Sequence, residues 1–187
     1  MKAPKSKQNT IVFTIGHSTR PVSEFIEIIK AYGIKRVVDI RTIPRSRHNP
    51  QFNKDELNKS LRAVKIGYRH MKGLGGLRHA LKDSLNMGWR NASFRGFADY
   101  MQTEEFKENL EKLIEAAEKR AIIVMCAEAV PWRCHRSLIG DALLVRGVHV
   151  RHIISARSFK DHTLTPWAKV DGGKITYPPE VEGPEND

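Results

Sequence analysis

Several ionisable residues that could carry chemistry follow directly after short apolar runs. His17 and Ser18 come after IVFTI, and Asp39 and Arg41 lie at the end of RVVDI. A third run, AIIVMC, leads into an equally polar segment. The carboxyl ends of parallel strands meet at one edge of an open α/β sheet, and ligands bind there. We therefore predict that these side chains converge on one site.

Carboxylates and histidines in such a position suit proton transfer. Glu128 follows the third run by two residues, and with Asp39 and His17 it forms the candidate general acid/base set. Arg41 and Arg136 are the candidate ligands for an anionic substrate group. Each residue also has a structural interpretation, because Asp39 beside Arg41, or Glu128 beside either arginine, could be a plain ion pair.

A predicted helix opens with Cys134, His135 and Arg136, and the free N–H groups of a helix start favour an anion. Ser18 and Tyr68 complete the candidate substrate-binding set. Tyr68 offers a hydroxyl or a stacking face, with core packing as the alternative.

The two cysteines leave three interpretations open. Cys126 ends a strand and enters a loop, which is where rhodanese-like and tyrosine-phosphatase-like sites hold their nucleophile. However, six residues separate it from Arg133 where those phosphatases have five, and Glu128 would repel a phosphate. Cys126, Cys134 and His135 could instead hold zinc or iron, although their spacing matches no common finger. Cys126 could also be a small buried apolar residue. We expect no cofactor and no metal ligands.

The positive charge is concentrated in one part of the chain. The formal net charge is +11, and residues 33–95 alone carry 15 Lys and Arg against 4 Asp and Glu, while the remainder is balanced. Such a region attracts a polyanion, or it simply keeps the protein in solution. The candidate nucleic-acid surface consists of Arg45, Arg47, Arg69 and Lys72.

Apolar runs alternate with amphipathic segments through most of the chain, which predicts an α/β domain. The expected architecture is a three-layer, Rossmann-like sandwich around a mainly parallel sheet of about five strands. The predicted strands are 11–15, 36–40, 66–71, 121–126 and 148–154, and the predicted helices are 21–33, 53–64, 94–101, 103–119 and 134–145. Residues 41–52 are expected to form a loop, and residues 72–91 give only weak signals that suggest part of a lid.

One folded domain is expected over residues 11–160. A flexible basic N-terminus, 1–10, would precede it, and an irregular, mostly mobile tail, 161–187, would follow. Two cysteines and the lack of a signal peptide or membrane-length apolar run favour a cytoplasmic protein without membrane contact. Neither GxGxxG nor GxxxxGK[ST] occurs, which disfavours nicotinamide and P-loop chemistry.

Five motifs together resemble a known family. They are TIGHS (14–18), VVDIRTIPRS (37–46), LGG (74–76), FADYM (97–101) and CAEAVPWRCHRSLI (126–139). Over about residues 11–155 the chain is similar to the family called domain of unknown function 488. The resemblance implies a compact α/β domain of cytoplasmic bacterial and archaeal proteins, without an established activity. It marks His17, Ser18, Asp39, Arg41, Pro44, Ser46, Glu128, Cys134, His135 and Arg136.

Three functional hypotheses follow. The first is a hydrolase or group transferase acting on a nucleotide, nucleic acid or other phosphorylated substrate. The second is a non-catalytic nucleic-acid-binding module. The third is a metal- or thiol-dependent protein that uses the cysteines and His135. The oligomeric state is left open.

Overall fold

The fold is a mixed α/β domain built around a six-stranded sheet. A computed structural model describes residues 10–179. The strands of this sheet and the helices between them are β1 (Ile11–Gly16), α1 (Val22–Ala31), β2 (Arg36–Asp39), α2 (Lys54–Ala63), β3 (Gly67–His70), α3 (Ala92–Tyr100), α4 (Glu104–Lys119), β4 (Ile122–Cys126), α5 (Arg136–Val145), β5 (His149–Ser155) and β6 (Ser158–Asp161). The predicted α/β class is confirmed, and the boundaries agree with the sequence to within a few residues.

The sheet has the strand order β3-β2-β4-β1-β5-β6. The first five strands are parallel, and β6 pairs antiparallel with β5 at the edge. The sequence predicted about five strands, so β6 is the addition. Its four residues are all exposed, and an exposed strand lacks the apolar pattern that reveals a buried one.

Two buried clusters show the three layers. Phe25, Ile29, Leu57 and Leu61 from α1 and α2 pack on one face of the sheet. The other face is covered by α3, α4 and α5, whose contributions include Phe97, Leu110, Leu113, Leu138 and Leu143. The apolar helix faces that the sequence predicts from a period of 3.6 residues are therefore the faces that pack on the sheet.

The order of the strands fixes where a ligand can enter. β4 lies between β1 and β2, and the helices that follow β1 and β2 lie on the face opposite to α5, which follows β4. Connections that diverge to opposite faces leave a crevice at the carboxyl ends of the strands. In this chain the crevice lies beside the end of β4.

The segment after β6 differs from the sequence prediction. Residues 161–187 were expected to be irregular, but a two-stranded hairpin forms from β7 (Lys169–Asp171) and β8 (Lys174–Thr176). The Tyr177 side chain is fully buried, and its hydroxyl donates to Asp141 Oδ2 at 2.8 Å. The pattern of polar and apolar residues in the sequence could not show that Tyr177 packs against α5. Residues 1–9 and 180–187 of the predicted tails lie outside the described residues.

No helix within residues 10–179 is both long and apolar enough to cross a membrane.

Candidate functional site

A cleft of about 430 Å³ opens at the carboxyl edge of the sheet, beside β4. Its walls come from four parts of the chain that are distant in sequence. They are residues 41–43 after β2, residues 76–77 after β3, residues 91–94 at the start of α3, and the segment that joins β4 to α5, with Cys126, Ala127, Glu128, Arg133, Cys134 and His135. The predicted convergence of strand ends therefore produces an opening, although not every predicted residue reaches it.

Two sulfur atoms lie side by side in this cleft. Cys134 Sγ is 3.0 Å from Cys126 Sγ, and both cysteines are free thiols in the structure. Arg136 Nη1 donates to Cys126 Sγ at 2.8 Å. Cys126 therefore accepts hydrogen bonds from a thiol and from a guanidinium, and both donors favour a thiolate over a thiol.

The buried side chain of Arg136 also favours a thiolate at Cys126. It is only 1% exposed, and its other bonds run to the carbonyl oxygens of Glu128 and Ala129, each at 2.8 Å. No carboxylate within residues 10–179 forms a salt bridge with it. A buried guanidinium needs a counter-charge, and the sulfur of Cys126 is the group in position to supply one.

The two thiols consequently titrate in opposite directions. Burial alone would raise the pKa of Cys126, but the hydrogen bond from Cys134 and the charge of Arg136 outweigh it and lower that pKa to about 7. The pKa of Cys134 is raised, because it donates to Cys126 and is itself buried. When one proton is lost from the pair, the favoured state is a thiolate at Cys126 beside a protonated Cys134.

His135 borders the second thiol. Its Nε2 donates to the Leu74 carbonyl at 3.0 Å, so Nδ1 is left as an acceptor, 3.6 Å from Cys134 Sγ. Burial lowers the pKa of His135 to about 4, and the ring is neutral at physiological pH. His135 was predicted to bind substrate, which stays a prediction, and in the structure its Nδ1 is placed to accept a hydrogen bond from Cys134.

Arg41 reaches the cleft from a rigid network. Nε and Nη2 pair with the two oxygens of Asp39 at 2.9 and 2.6 Å, and Nη2 also donates to the Phe52 carbonyl. Nη1 donates one bond to His17 Nε2 at 3.3 Å. The second N–H of Nη1 has no partner within residues 10–179, so Arg41, which lines the cleft, keeps one unpaired donor.

Asp39 and His17, predicted to transfer protons, are enclosed behind Arg41. Asp39 is fully buried and also accepts from the Tyr68 hydroxyl at 2.7 Å. His17 is 1% exposed, stacks on Phe52 and donates from Nδ1 to the Ser18 carbonyl. Neither residue lines the cleft, and their visible effect is to hold the Arg41 guanidinium in place.

The pKa values of this network agree with a positioning role. Burial lowers the pKa of His17 to about 4, with the backbone bond of Ser18 opposing the shift and the charge of Arg41 adding to it. Burial and the neighbouring Asp39 carboxylate raise the pKa of Tyr68. Tyr68 therefore donates a fixed hydrogen bond to Asp39 and is not the stacking face considered from the sequence.

Glu128 and Arg133 are the two exposed charged residues of the segment after β4 that line the cleft. The Glu128 carboxylate forms no salt bridge within residues 10–179, so neither arginine suggested from the sequence neutralises it. Arg136, predicted to hold substrate, instead binds the Glu128 carbonyl from beneath. Arg133 was not selected from the sequence, since its spacing from Cys126 matched no known loop.

Two glycines allow the segments that form the cleft to pack closely against each other. A Cβ on Gly16 would overlap the Glu128 carbonyl and crowd Arg136, and a Cβ on Gly76 would overlap the His135 ring. Ser18 follows with a positive φ of 51°, and its N–H donates to the Ala127 carbonyl at 3.0 Å. Ser18 thus anchors the segment after β4 and does not line the cleft.

The segment 72–91, weak in sequence signal, is held by α3. Asp99 accepts hydrogen bonds from the Leu81 backbone, Ser84 and Asn86. The Tyr100 hydroxyl donates to the Gly73 carbonyl at 2.6 Å. The segment forms a wall fixed by tertiary polar contacts, which explains why periodicity could not identify it.

The four residues of the predicted nucleic-acid surface, Arg45, Arg47, Arg69 and Lys72, are all exposed. None of them forms a salt bridge with a carboxylate of residues 10–179. They lie after β2, near the end of β3 and just after β3, which is the edge of the sheet that carries the cleft.

His152 in β5, an additional polar residue at a strand, belongs to another cluster. Its Nδ1 is 2.6 Å from the Thr14 hydroxyl and its Nε2 is 2.9 Å from His162 Nδ1, while His162 Nε2 bonds to Asp141. In the part of the chain that the structure describes, no group of three or more His, Cys, Asp or Glu side chains is arranged to hold a metal. At Cys126, moreover, the Arg136 guanidinium would repel a metal cation.

Comparison with protein families agrees with the motifs. Residues 21–143 match the family model described as Domain of unknown function DUF488, which is more than half of the chain. The chain belongs to this family. No curated protein and no solved structure matches it. The matched range includes the Arg41, Cys126 and Cys134 walls of the cleft, whereas β1 with Gly16 and His17 lies before it.

Proposed function

We propose that this DUF488 member is a thiol-dependent enzyme that acts on a phosphorylated substrate, with Cys126 as its nucleophile. The observation that carries the proposal is the pairing of Cys126 Sγ with the buried Arg136 guanidinium at 2.8 Å, in a cleft that also presents Arg41 and Arg133. A thiolate at the carboxyl end of a strand, with cations around it, suits nucleophilic attack on an anionic group.

Each group then has a distinct role. Cys126 Sγ attacks the phosphorus, the bond from phosphorus to the leaving oxygen breaks, and the Glu128 carboxyl protonates that oxygen. Water next attacks phosphorus, gives its proton to the Glu128 carboxylate, and releases the Cys126 thiolate. The free N–H of Arg41 and the exposed Arg133 bind the phosphoryl oxygens. Asp39, His17 and Tyr68 act on Arg41 as positioning residues.

A phosphorylated substrate is also what the sequence predicts, but here different residues carry the chemistry. Asp39 and His17 are buried and engaged with Arg41, so they cannot reach a substrate in the cleft. Glu128 keeps its proposed acid/base role because its side chain is exposed there. We also propose a cytoplasmic location, where a reducing environment would keep the thiols of Cys126 and Cys134 free.

The test is hydrolysis of p-nitrophenyl phosphate and of a 5′-phosphorylated oligonucleotide, with acid quenching and mass spectrometry of the Cys126 peptide. We expect turnover of at least one substrate, a phosphoryl adduct on Cys126, and loss of both in Cys126→Ser. Lys112→Ala, an exposed change on α4, is the control and should behave as wild type. Turnover that survives Cys126→Ser, or no turnover of either substrate, would overturn the proposal.

The exposed cations favour a second candidate function, a nucleic-acid-binding module that needs no chemistry. Arg45, Arg47, Arg69 and Lys72 carry no carboxylate partners within residues 10–179, and they border the same edge of the sheet as the cleft. Such a surface supports phosphate binding with a steep salt dependence. Binding of an oligonucleotide that persists in Cys126→Ser without any turnover by the wild type would favour this function over the enzyme.

A further inference from the structure

The two thiols of the cleft lie close enough to react with each other. Cys126 Sγ and Cys134 Sγ are 3.0 Å apart, and a disulfide requires about 2.05 Å, so the sulfurs need to approach by about 1 Å. The Cys134 backbone is held by hydrogen bonds to the Pro131 carbonyl and from Ser137, so the approach falls to rotation of the two cysteine side chains. A small local movement therefore suffices.

The chemistry of the pair is asymmetric in the way that a peroxide-sensitive dithiol needs. Cys126 is stabilised as the attacking thiolate by Arg136, while Cys134 stays protonated and is adjacent to the acceptor nitrogen Nδ1 of His135 at 3.6 Å. Thiolate character and access decide which cysteine is oxidised first. Both sulfurs are nearly buried, but both residues line the open cleft.

We propose that Cys126 and Cys134 form a reversible disulfide when a hydroperoxide enters the cleft, with Cys126 as the peroxide-reacting residue and Cys134 as the resolving residue. This inference uses the same thiolate as the proposed function, but it does not depend on phosphoryl transfer.

Two steps account for the atoms and electrons. The Cys126 thiolate attacks one oxygen of hydrogen peroxide, the S–O bond forms, the O–O bond breaks, and hydroxide leaves, so Cys126 becomes a sulfenic acid. Cys134 then attacks the Cys126 sulfur as its thiol proton leaves. The S–S bond forms and the S–O bond breaks, and the departing hydroxide takes that proton to become water. Two electrons leave the thiol pair, and the peroxide is reduced.

The burial of Arg136 determines how durable this disulfide is. When Cys126 is oxidised, its negative charge disappears, and the guanidinium remains buried with only carbonyl oxygens and a neutral sulfur around it. An uncompensated buried cation destabilises the oxidised state relative to the reduced one. Cellular thiols therefore reduce the bond easily, which is the behaviour of a regulatory disulfide and not of a structural one.

The experiment treats the full chain with one equivalent of hydrogen peroxide and maps peptides without reduction. In the wild type we expect an intramolecular Cys126–Cys134 disulfide that dithiothreitol removes completely, with iodoacetamide labelling of Cys126 lost and then restored. In Cys134→Ser we expect no disulfide, a sulfenic acid at Cys126 that dimedone traps, and further oxidation to a sulfinic acid that dithiothreitol does not reverse. In Cys126→Ser we expect Cys134 to stay unmodified.

The wild-type measurement needs no variant to fold, so it decides the matter by itself. Sulfinic acid at Cys126 without any disulfide in the wild type would overturn the inference, as would disulfide-linked dimers in place of the internal bond. A disulfide that forms in a protein inactive toward both p-nitrophenyl phosphate and the 5′-phosphorylated oligonucleotide would support the redox inference while the proposed enzyme function fails. Phosphatase activity in a wild type that forms no disulfide would overturn the redox inference and leave the enzyme function standing.

Discussion

The guanidinium of Arg136 lies 2.8 Å from the sulfur of Cys126 and forms no salt bridge with a carboxylate anywhere in residues 10–179. A buried guanidinium and a thiolate in contact each stabilise the charged form of the other. The same contact therefore makes Cys126 reactive and stabilises the buried charge of Arg136.

Alkylation of Cys126 by iodoacetamide should follow a titration curve with a midpoint near pH 7. The reason is that Cys134 and Arg136 lower the Cys126 pKa to about 7 against the effect of burial. In Arg136→Met the midpoint should rise by more than about one pH unit. The measurement is the rate of labelling of the Cys126 peptide across the neutral range, with Cys134 as the internal control that stays slow. A wild-type midpoint at or above about 8.5, the value of an ordinary thiol, would contradict this.

The same pairing makes stability depend on pH above neutrality. Because the folded pKa of Cys126 lies below its unfolded value, the stabilisation is fully present above the unfolded pKa and is lost as the pH falls through about 7. The free energy of unfolding in urea should therefore rise between about pH 7 and pH 9 in the wild type. Cys126→Ser should show a smaller rise over that interval, and an equal rise in both proteins would refute the assignment of the thiolate.

Acid should destabilise the fold through its buried histidines. Burial lowers the pKa values of His17 and His135 to about 4 and that of His152 to about 3, so each stays neutral in the folded state while the unfolded chain takes up protons near pH 6.5. The unfolded state binds more protons, and stability must fall as the pH drops from about 6.5 towards about 4. Each histidine contributes a slope of up to about 1.4 kcal/mol per pH unit. Urea unfolding at neutral and at mildly acidic pH measures how the free energy of unfolding changes with pH. His17→Gln should reduce that slope.

Asp39→Asn should destabilise the protein by about 3–5 kcal/mol, because it leaves the buried Arg41 guanidinium without its counter-charge. Tyr68→Phe removes only one hydrogen bond to the same carboxylate and should cost about 1 kcal/mol. Urea denaturation of the two variants compares them directly. Similar costs for both would mean that the Asp39–Arg41 pair does not carry the stability assigned to it.

Much of this arrangement follows from the sequence, and the rest depends on tertiary contacts. Apolar runs and amphipathic periods predicted the parallel strands and the helices, and so located Cys126, Glu128 and Arg41 at one edge. The inward direction of Arg136 was not predictable, since the first residue of a helix usually faces solvent. Equally, the wall formed by residues 72–91 depends on Asp99 and Tyr100, whose hydrogen bonds have no periodic signature.

Gly16→Ala should impair the thiol site more than the fold as a whole. The added Cβ would overlap the Glu128 carbonyl and displace the segment that carries Cys126 and Arg136. Gly67→Ala at the start of β3 is the matched control, because its Cβ would meet only ordinary contacts beginning at 3.4 Å. We expect the alkylation midpoint of Cys126 to shift upward in Gly16→Ala and to stay at the wild-type value in Gly67→Ala. A midpoint unchanged in both would show that the close approach is not needed.

If the exposed cations bind nucleic acid, Arg45→Ala with Arg47→Ala should weaken oligonucleotide binding and flatten its salt dependence. Each lost phosphate contact on duplex DNA lowers the slope of log K against log salt by about 0.9. Lys107→Ala on α4, where the lysine is paired with Glu104, is the control and should leave the slope unchanged. Fluorescence anisotropy at several salt concentrations gives the slopes. Equal slopes for the double variant and the wild type would show that Arg45 and Arg47 do not bind the oligonucleotide.

Tyr177 forms hydrogen bonds with two segments that are far apart in the chain. Its backbone N–H donates to Asn86 in the segment 72–91, and its hydroxyl donates to Asp141 in α5, the helix that begins with Arg136. Removal of everything after residue 160 would release both the wall and the helix, even though residues 21–143 are the range recognised by the family model. We therefore expect the cooperative folding unit to be wider than the family signature, and recombinant fragments trimmed to that signature to lose the architecture around the cleft.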